Sequence, residues 1–415
     1  MRRRTVLTAV LTAPFVARAQ GMAKIVVVGG GFAGATAARA LAVAGHQVTL
    51  VEGDAQYVSC PFSNEVLVGM RPLEEQQFGW DKLKAAGVTL VRARATGVDG
   101  ALKRVLLDGT SIPYDRLVMA PGVDMRLGDD QGALPGYDQA ATVAMPHAWK
   151  AGLQTVLLQE QLRAMPDGGT VVIVVPANPY RCPPGPYERA SLIAWYLKTN
   201  KPRSKLLVLD AKDVFSKQKL FQAAWAEMYP GILEWVSLSD GGKVVSVDPG
   251  AMTATTDFGS HKGDVVNVIP PQRAGAIAQA AGVADRTGWC PVDPVTFESR
   301  RIAGIHVIGD AAIMGAMPKS AFAANAQAKV CAVAITALLA GQKPESPRLI
   351  NTCYSMIAPR YAVSVAGVYQ PRDGQLIDYE GAGGASPLDA KPEFRAQEAD
   401  YADVWYQTIT RSVFG

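Results

Sequence analysis

The sequence predicts an α/β protein: two Rossmann-like domains followed by a smaller C-terminal α+β domain. Three observations lead to this fold class. A glycine-rich turn near residue 30 lies between a strand pattern and a helix pattern, a second apolar strand begins near residue 170, and short strands replace helical patterning after residue 345. At 415 residues and 49% hydrophobic content, the chain can form two or three domains with a large core.

The first element has the pattern of a dinucleotide-binding turn. The β-rich run Lys24–Val28 is followed by Gly29, Gly31 and Gly34, then by an alanine-rich helix and a second strand that ends at Glu52. Glycines at this spacing let the backbone approach a pyrophosphate at the helix N-terminus, and the acid accepts a hydrogen bond from a ribose hydroxyl. The combination of strand, glycines, helix, strand and acid therefore predicts a bound dinucleotide.

Two later segments indicate that the dinucleotide is FAD. The segment 114–122, which contains Ala120 and Gly122, and the segment 304–310, which ends at Asp310, resemble the strands and turns that flank FAD in two-dinucleotide flavoproteins. In those proteins the late aspartate hydrogen-bonds the ribityl chain. Because the two segments lie far apart, a second domain is expected between them. The predicted domains are 22–135 with 266–345 for FAD, 136–265 for the inserted domain, and 346–415 at the C-terminus.

The inserted domain lacks the features of a nicotinamide site. A helical pattern from Ala148 to Met165 precedes the strand Thr170–Val175. In flavoproteins of the glutathione-reductase type, this strand leads into a second glycine-rich turn for NAD(P)H, whereas here it leads into Pro176–Pro186. Proline has no N–H for a phosphate, and side chains occupy the space that glycine would leave for it. The sequence predicts a second Rossmann-like domain whose nicotinamide site is abolished.

Residues 1–19 have the pattern of an export signal. Three arginines precede a short apolar run, which ends in Ala17-Arg18-Ala19, an A-x-A cleavage pattern. The order Arg3-Arg4-Thr5-Val6-Leu7 resembles a twin-arginine signal, which exports proteins already folded around a cofactor. An ordinary arginine-rich secretory signal is the alternative. Both predict export, and we expect a periplasmic protein.

Charge, apolar patterning and histidine spacing argue against binding to nucleic acid, to a membrane and to a metal ion. The four arginines of residues 1–19 account for the whole net charge of +4, which gives no reason to expect nucleic acid. The best apolar run, Phe322–Ala340, contains polar residues and is typical of a buried helix, so no transmembrane segment is expected. The four histidines lack metal-ligand spacing, and no metal site is predicted.

Six further stretches resemble the flavoprotein subunit of the flavocytochrome c sulfide dehydrogenase family. They are distributed over nearly all of the chain that follows the signal, and they contain four of its five cysteines together with prolines and charged residues. The stretches are Ser59–Glu65, Arg181–Arg189, Ile269–Ala274, Gly288–Asp293, Met317–Ser320 and Asn351–Ser355, and their cysteines are Cys60, Cys182, Cys290 and Cys353.

The resemblance implies chemical roles for Cys60, Cys182 and Cys353. Cys60 would carry FAD through a thioether to the flavin 8α-methyl group, while Cys182 and Cys353 would form a redox disulfide over the isoalloxazine. Attack by hydrosulfide on a disulfide produces a persulfide and a thiolate, so electrons would enter as sulfur rather than from NAD(P)H. The simpler alternatives are a packed small hydrophobe for Cys60 and a purely structural disulfide for the pair.

Other site residues follow from the same resemblance. Glu188 would be an acid/base beside the disulfide, although an acid in the first turn of a helix also fits a favourable dipole interaction. Lys319 and Ser320 precede a helix whose N-terminus would point at the flavin pyrimidine and stabilise the reduced flavin, although Lys319 also fits a surface charge. Cys331 is expected in the core, and Cys290 has no partner that the sequence identifies.

The implied function is oxidation of sulfide to sulfur or polysulfide by an exported FAD enzyme. The chain has no C-x-x-C-H motif, so electrons would pass singly to a separate cytochrome c subunit. A sulfide:quinone oxidoreductase is an alternative, but it must touch a membrane, and residues 388–415 carry acids rather than a basic amphipathic pattern. A flavoprotein that docks on a sulfur-carrier protein and reactivates its thiol is the other alternative.

Overall fold

The computed structural model describes residues 22–415, so the predicted export signal lies outside the described residues. The helices are α1 Phe32–Val43, α2 Ser63–Leu67, α3 Asp81–Ala85, α4 Ala141–Ala144, α5 Leu153–Ala164, α6 Gly185–Asn200, α7 Gln218–Met228, α8 Ala276–Ala280, α9 Ala321–Leu339 and α10 Pro392–Val413, with 3-10 turns at Leu73–Gln76 and Gly309–Ala311. The strands are β1 Lys24–Val28, β2 Gln47–Val51, β3 Tyr57–Val58, β4 Gln77–Phe78, β5 Thr89–Val91, β6 Gly97–Asp99, β7 Arg104–Leu107, β8 Thr110–Pro113, β9 Arg116–Met119, β10 Val123–Met125, β11 Thr170–Val175, β12 Lys205–Asp210, β13 Leu233–Val236, β14 Val244–Asp248, β15 Thr253–Thr256, β16 Gly259–Lys262, β17 Val265–Val268, β18 Gln272–Ala274, β19 Cys290–Pro291, β20 Ile305–Val307, β21 Ala312–Ile313, β22 Leu349–Ala358, β23 Tyr361–Arg372, β24 Gln375–Asp378 and β25 Gly384–Ala385.

The first sheet is parallel and has the strand order β20-β9-β1-β2-β5. Parallel strands that are covered on both faces need continuous apolar sequences, and four of the five residues of β1 are buried. Helices α1 and α9 pack against each other on this sheet. Because β20 pairs with β9, one domain is assembled from two distant parts of the chain.

The second sheet is also parallel, with the order β13-β12-β11-β17. Five of the six residues of β11 are buried. The helix that the sequence predicts from Ala148 begins only at Leu153. That predicted start is wrong because Ala148 has a φ of 46° and Gly152 a φ of 123°, and neither value is compatible with a right-handed helix.

The residues that would bind a nicotinamide dinucleotide in the second domain serve the core instead. Asp210 ends β12, where a Rossmann fold commonly places the acid that contacts a ribose. It is fully buried, and its Oδ2 accepts from Tyr187 Oη at 2.6 Å and from Trp235 Nε1 at 3.0 Å. Its Oδ1 accepts from Lys212 Nζ at 2.6 Å. The Tyr187 ring also stacks on Phe215, with centroids 3.5 Å apart.

The C-terminal part is a sheet covered by one long helix. Strands β22 and β23 form a long antiparallel pair to which β24 and β25 add, and α10 packs on both. Strand β22 also contacts α6 of the second domain and α9 of the first. With two parallel α/β domains and this α+β unit, the predicted fold class is confirmed.

Within residues 22–415, one helix, α9, has the length and apolar composition needed to cross a membrane. Half of its most apolar window is buried inside the fold.

The second domain generates the first prediction, that NADH and NADPH will not reduce the flavin of the purified protein at a useful rate. The turn after β11 lacks phosphate-binding glycines, and Asp210 is already hydrogen-bonded inside the core. Flavin absorbance is followed after anaerobic mixing, with dithionite as the control that the flavin can be reduced. Bleaching by NADH within seconds would contradict the prediction.

Candidate active site

A cleft of about 540 Å³ lies along the glycine turn of the first domain. We call it the cofactor cleft. It brings together most of the cofactor-binding residues predicted from the sequence, which come from five separate parts of the chain. They are Gly29, Gly31, Glu52, Cys60, Ala120, Gly122 and Asp310, and Arg181 of the second domain also lines the cleft.

Close backbone contacts explain the glycines of this turn. Gly29 has a φ of +97°, and a Cβ there would lie 2.4 Å from the Ala120 carbonyl oxygen. Gly34 does not line the cleft, but a Cβ on Gly34 would lie 1.8 Å from the Gly29 oxygen, so Gly34 lets α1 approach the turn. Glu52 Oε2 accepts from Gly30 N at 2.7 Å. The acid therefore holds the turn as well as facing the cleft.

Asp310 provides an observation that tests whether FAD fits this cleft. Its Oδ1 is buried and has no hydrogen-bond partner, which is rare for a polar atom in a folded protein. Burial raises the pKa of Asp310, while Arg181 and Lys319 act in the opposite direction. An unpartnered acceptor that lines the cleft fits the ribityl hydroxyl of FAD, and the glycine turn fits its pyrophosphate.

A second cavity, of about 110 Å³, adjoins the cofactor cleft. We call it the cysteine cavity because all three cysteines with predicted roles line it. The two spaces share Cys60, Pro61, Arg181 and Ala321, so Cys60 stands at their junction. The remaining wall mixes charged, polar, aromatic and aliphatic groups, and includes Asn64, Trp149, Cys182, Glu188, Arg189, Cys353, Tyr354 and Trp405.

Cys182 and Cys353 line the cysteine cavity from two separate segments of the chain. Cys182 precedes α6 with a φ of 59°, and its N–H donates to the Lys319 carbonyl at 2.8 Å. Cys353 lies on β22, and its Sγ accepts from Asn351 Nδ2 at 3.3 Å. Burial raises the pKa of Cys182 well above its ordinary value, and Glu188 adds to the rise. Both are thiols in the structure, and the disulfide between them stays a prediction.

Glu188 is held at the wall of the same cavity by the first turn of α6. Its Oε1 accepts from Asn64 Nδ2 at 2.9 Å, and the Ser355 hydroxyl and the Met356 N–H lie near enough to the carboxyl to lower its pKa. Burial raises the pKa of the carboxyl, while Asn64 and Lys217 favour its ionised form. A carboxyl in the wall of the cavity that two cysteines also line is placed for proton transfer to or from them.

Two cations near this site are not among the site residues predicted from the sequence. Arg189 is 2% exposed, and its guanidinium donates to the His147, Ala148, Asn64 and Asn267 oxygens at 2.6 to 3.0 Å. Lys217 reaches the Cys353 carbonyl at 2.9 Å. Their acceptors come from distant segments, so no local spacing could have identified either residue.

Lys319 and Ser320 occupy different places from one another. Ser320 lines the cysteine cavity, and its Oγ caps α9 by accepting from Ala323 N at 3.0 Å. Lys319 lines neither space: its Nζ donates to the Asp310 and Ala312 carbonyls at 2.8 and 2.7 Å and lies 4.1 Å from the Trp289 ring centroid. Burial lowers its pKa to about 8. Lys319 therefore supports the loop that carries Asp310.

The other two cysteines are fully buried. Cys331 lies in the core on α9, and Cys290 lies in β19, which pairs with β21. Burial raises the pKa of Cys290 to about 12, so its thiol is protonated at neutral pH.

The glycine turn generates the second prediction, that Gly34→Ala will lower both flavin content and stability. The added methyl group would overlap the Gly29 carbonyl, and overpacking of this kind costs about 1 to 3 kcal/mol. The measurements are the flavin-to-protein ratio and the melting temperature. Gly79→Ala is the matched control, because nothing lies within 4 Å of its added Cβ. A Gly34→Ala protein with full flavin content would contradict the prediction.

The fold is shared with several solved flavoproteins. A sulfide:quinone oxidoreductase from the hyperthermophilic bacterium Aquifex aeolicus aligns with a TM-score of 0.69 and 15% identity, covering 94% of this chain and 92% of that chain. A chain of the covalent putidaredoxin reductase–putidaredoxin complex aligns with a TM-score of 0.64 and 17% identity over 92% and 93%. A NAD-dependent persulfide reductase from A. fulgidus has a TM-score of 0.57 and 18% identity over 94% and 77%.

Family models match three parts of the sequence. Residues 23–172 match the pyridine nucleotide-disulphide oxidoreductase model. Residues 155–270 match the central model of the sulfide dehydrogenase (flavocytochrome c) flavoprotein chain, and residues 345–414 match the flavin-binding model of flavocytochrome c sulphide dehydrogenase. The chain therefore belongs to the flavocytochrome c sulfide dehydrogenase flavoprotein family and is a FAD-binding oxidoreductase.

Proposed function

We propose that this protein oxidises sulfide to sulfur or polysulfide and passes the electrons singly to a cytochrome c subunit. The observation that carries the proposal is the joining of the two spaces. Cys60 and Arg181 line both of them, which puts a pair of cysteines and a carboxyl next to the cleft that fits FAD. One cysteine of the pair, Cys182, and the carboxyl of Glu188 come from the second domain, which would otherwise hold NAD(P)H.

The proposed sulfur step uses a Cys182–Cys353 disulfide. Hydrosulfide attacks one of the two sulfurs, a new S–S bond forms, and the bond between the cysteines breaks. The electron pair of the broken bond stays on the departing cysteine as a thiolate, while the attacked cysteine carries a persulfide. The incoming sulfur is oxidised and the disulfide is reduced. Glu188 lines the same cavity and would accept the proton of the persulfide.

The cofactor is proposed to be bound covalently. Cys60 stands at the junction of the cofactor cleft and the cysteine cavity, and its Sγ lies 3.7 Å from the Trp149 carbonyl oxygen. Its thiol would hold FAD as a thioether. When bound there, FAD would supply the chemistry of accepting an electron pair and releasing electrons one at a time.

The proposed electron acceptor and location follow from the family and from the N-terminal pattern. The chain has no C-x-x-C-H motif, so the haem would belong to a separate cytochrome c subunit. The twin-arginine-like pattern of residues 1–19 supports a periplasmic location, and this route exports proteins that already hold a cofactor. Copurification of a haem protein with the native flavoprotein would support the proposed partner.

The proposed tether predicts that Cys60→Ala will give a folded protein whose flavin is released by acid. No other covalent link is proposed, so removal of this thiol should leave only non-covalent contacts. Acid precipitation is the measurement: wild-type protein retains its yellow colour on the pellet, and the variant does not. If mass spectrometry of the wild-type peptide containing Cys60 finds no flavin adduct, the tether is wrong.

The proposed disulfide predicts that Cys353→Ser will abolish flavin reduction by sulfide while dithionite still reduces the flavin. A purely structural bridge would instead lower the stability by about 2 to 5 kcal/mol and leave sulfide reduction intact. Stopped-flow absorbance at room temperature and a melting curve separate these outcomes. Cys331→Ala is the control, since it removes a core thiol outside the cavity. Fast sulfide reduction in folded Cys353→Ser would refute the proposed relay.

A further inference from the structure

Lys217 places a positive charge behind the cysteine cavity without lining it. The residue caps the start of α7 in a left-handed conformation, with a φ of 64°, and its side chain crosses to the C-terminal sheet. Nζ donates to the Cys353 carbonyl at 2.9 Å, to Ser355 Oγ at 2.8 Å and to the Val363 carbonyl at 3.4 Å. None of these acceptors is charged. In the described part of the chain, no carboxylate oxygen lies within 4.0 Å of this ammonium group.

Ser355 connects Lys217 to Glu188. Ser355 is 1% exposed, its Oγ accepts from Lys217 Nζ, and its hydroxyl lies near enough to the Glu188 carboxyl to lower the pKa of that group. Because an ammonium group can only donate, the hydroxyl hydrogen of Ser355 is free to point to the carboxylate. The Ser355 hydroxyl therefore lies between the Lys217 ammonium group and the Glu188 carboxylate.

A chain of two hydrogen bonds holds the carboxylate from the other side. Asn64 Nδ2 donates to Glu188 Oε1 at 2.9 Å, while Asn64 Oδ1 accepts from Arg189 Nε at 3.0 Å. Glu188 thus stands between two cations, each separated from it by one polar side chain. This arrangement fixes the carboxylate at the cavity wall that Cys182 and Cys353 also line.

The surrounding charges show why Lys217 matters for the ionisation of Glu188. Burial raises the pKa of the Glu188 carboxyl, and Asn64, Lys217 and Ser355 act against this rise. Burial lowers the pKa of Lys217, while Cys353, Glu188 and Cys182 raise it. Ionisable groups of the neighbouring elements also interact with Glu188 or Lys217. They are Glu65, Cys182, Arg189, Cys353 and Glu398. Arg181 interacts in turn with Cys182.

We propose that Lys217 is a positioning residue that, through Ser355, holds the Glu188 carboxylate at the cavity wall that Cys182 and Cys353 also line. The meaning of this arrangement for sulfide oxidation rests on the proposed function. The arrangement itself depends only on the contacts among Lys217, Ser355 and Glu188. One measurement below tests the link to sulfide oxidation, and another tests the contacts without requiring activity.

The first measurement is the pH dependence of flavin reduction by sulfide. Loss of a positive charge disfavours the carboxylate, so the pKa of Glu188 rises in Lys217→Met. The acid limb of the rate profile then moves to higher pH, by about one unit, as expected for a lost opposite charge at close range. Lys217→Arg retains the charge and should restore the limb. Lys219→Met, an exposed lysine two residues along the same helix, is the matched control and should leave the limb in place.

The second measurement does not require activity. The infrared absorption of the protonated Glu188 carboxyl is identified by its loss in Glu188→Gln and is titrated in each variant. Its midpoint should move up by about one pH unit in Lys217→Met and in Lys217→Gln. The second variant keeps a hydrogen-bond donor and serves if the first does not fold. Ser355→Ala should shift the midpoint in the same direction.

The two measurements fail in different ways. An unchanged infrared midpoint in either folded Lys217 variant overturns the role of Lys217, whatever the rate of sulfide oxidation. If the wild-type flavin is not reduced by sulfide, the proposed function fails, but a shifted midpoint still supports the link between Lys217 and Glu188. A Lys217→Met shift of the rate profile that persists in the Glu188→Gln background would show that Lys217 does not act through Glu188 and would also overturn the proposal.

Discussion

The arrangement of the site depends on one buried guanidinium, that of Arg189. A buried charge must have its donors satisfied, and this side chain achieves that with oxygens from three regions. They are the Asn64 side chain of the first domain, the His147 and Ala148 carbonyls of the connecting segment, and the Asn267 side chain of β17. Because all of these groups must converge on α6, the first turn of that helix is held against the cofactor cleft. Cys182 and Glu188 are positioned by the same turn.

The second domain has the strand order of a dinucleotide-binding domain but different chemistry at its edge. The chain after β11 has prolines in place of glycines. Asp210, the acid that ends β12, accepts hydrogen bonds from Tyr187, Trp235 and Lys212. Those contacts give the domain a polar but fully satisfied core at the place where a ribose would bind. The same edge presents a cysteine and a carboxyl to the first domain. The second domain therefore keeps the Rossmann-like fold, while the edge that would bind NAD(P)H carries a thiol and a carboxyl group next to the cofactor cleft.

Charges at the cysteine cavity are arranged to support ionised groups in a buried place. Burial opposes the charged forms of Cys182 and Glu188. Arg181 and Lys217 favour the thiolate of Cys182, and Lys217 also favours the carboxylate of Glu188. Lys319 has a different task, because its ammonium group is bound to two carbonyls of the loop that carries Asp310. The cations of the site therefore divide between those that face the reacting groups and one that holds the cofactor loop.

The sequence by itself determined the fold class, the glycine turn of the first domain and the altered turn of the second. These depend on local spacing: apolar runs specify buried parallel strands, and glycines and prolines specify which turns can approach a phosphate. The resemblance also named Cys60, Cys182, Glu188 and Cys353, which line the cysteine cavity, but it did not name Trp149 or Trp405 of the same wall. Only the tertiary structure decided the start of α5, the direction of Lys319, and the placement of Lys217, Ser355, Asn64 and Arg189 around Glu188. Lys217 and Cys353 are separated by 136 residues, and Asn64 and Glu188 by 124. Contacts between side chains so far apart are set by how the domains pack, which no local pattern records.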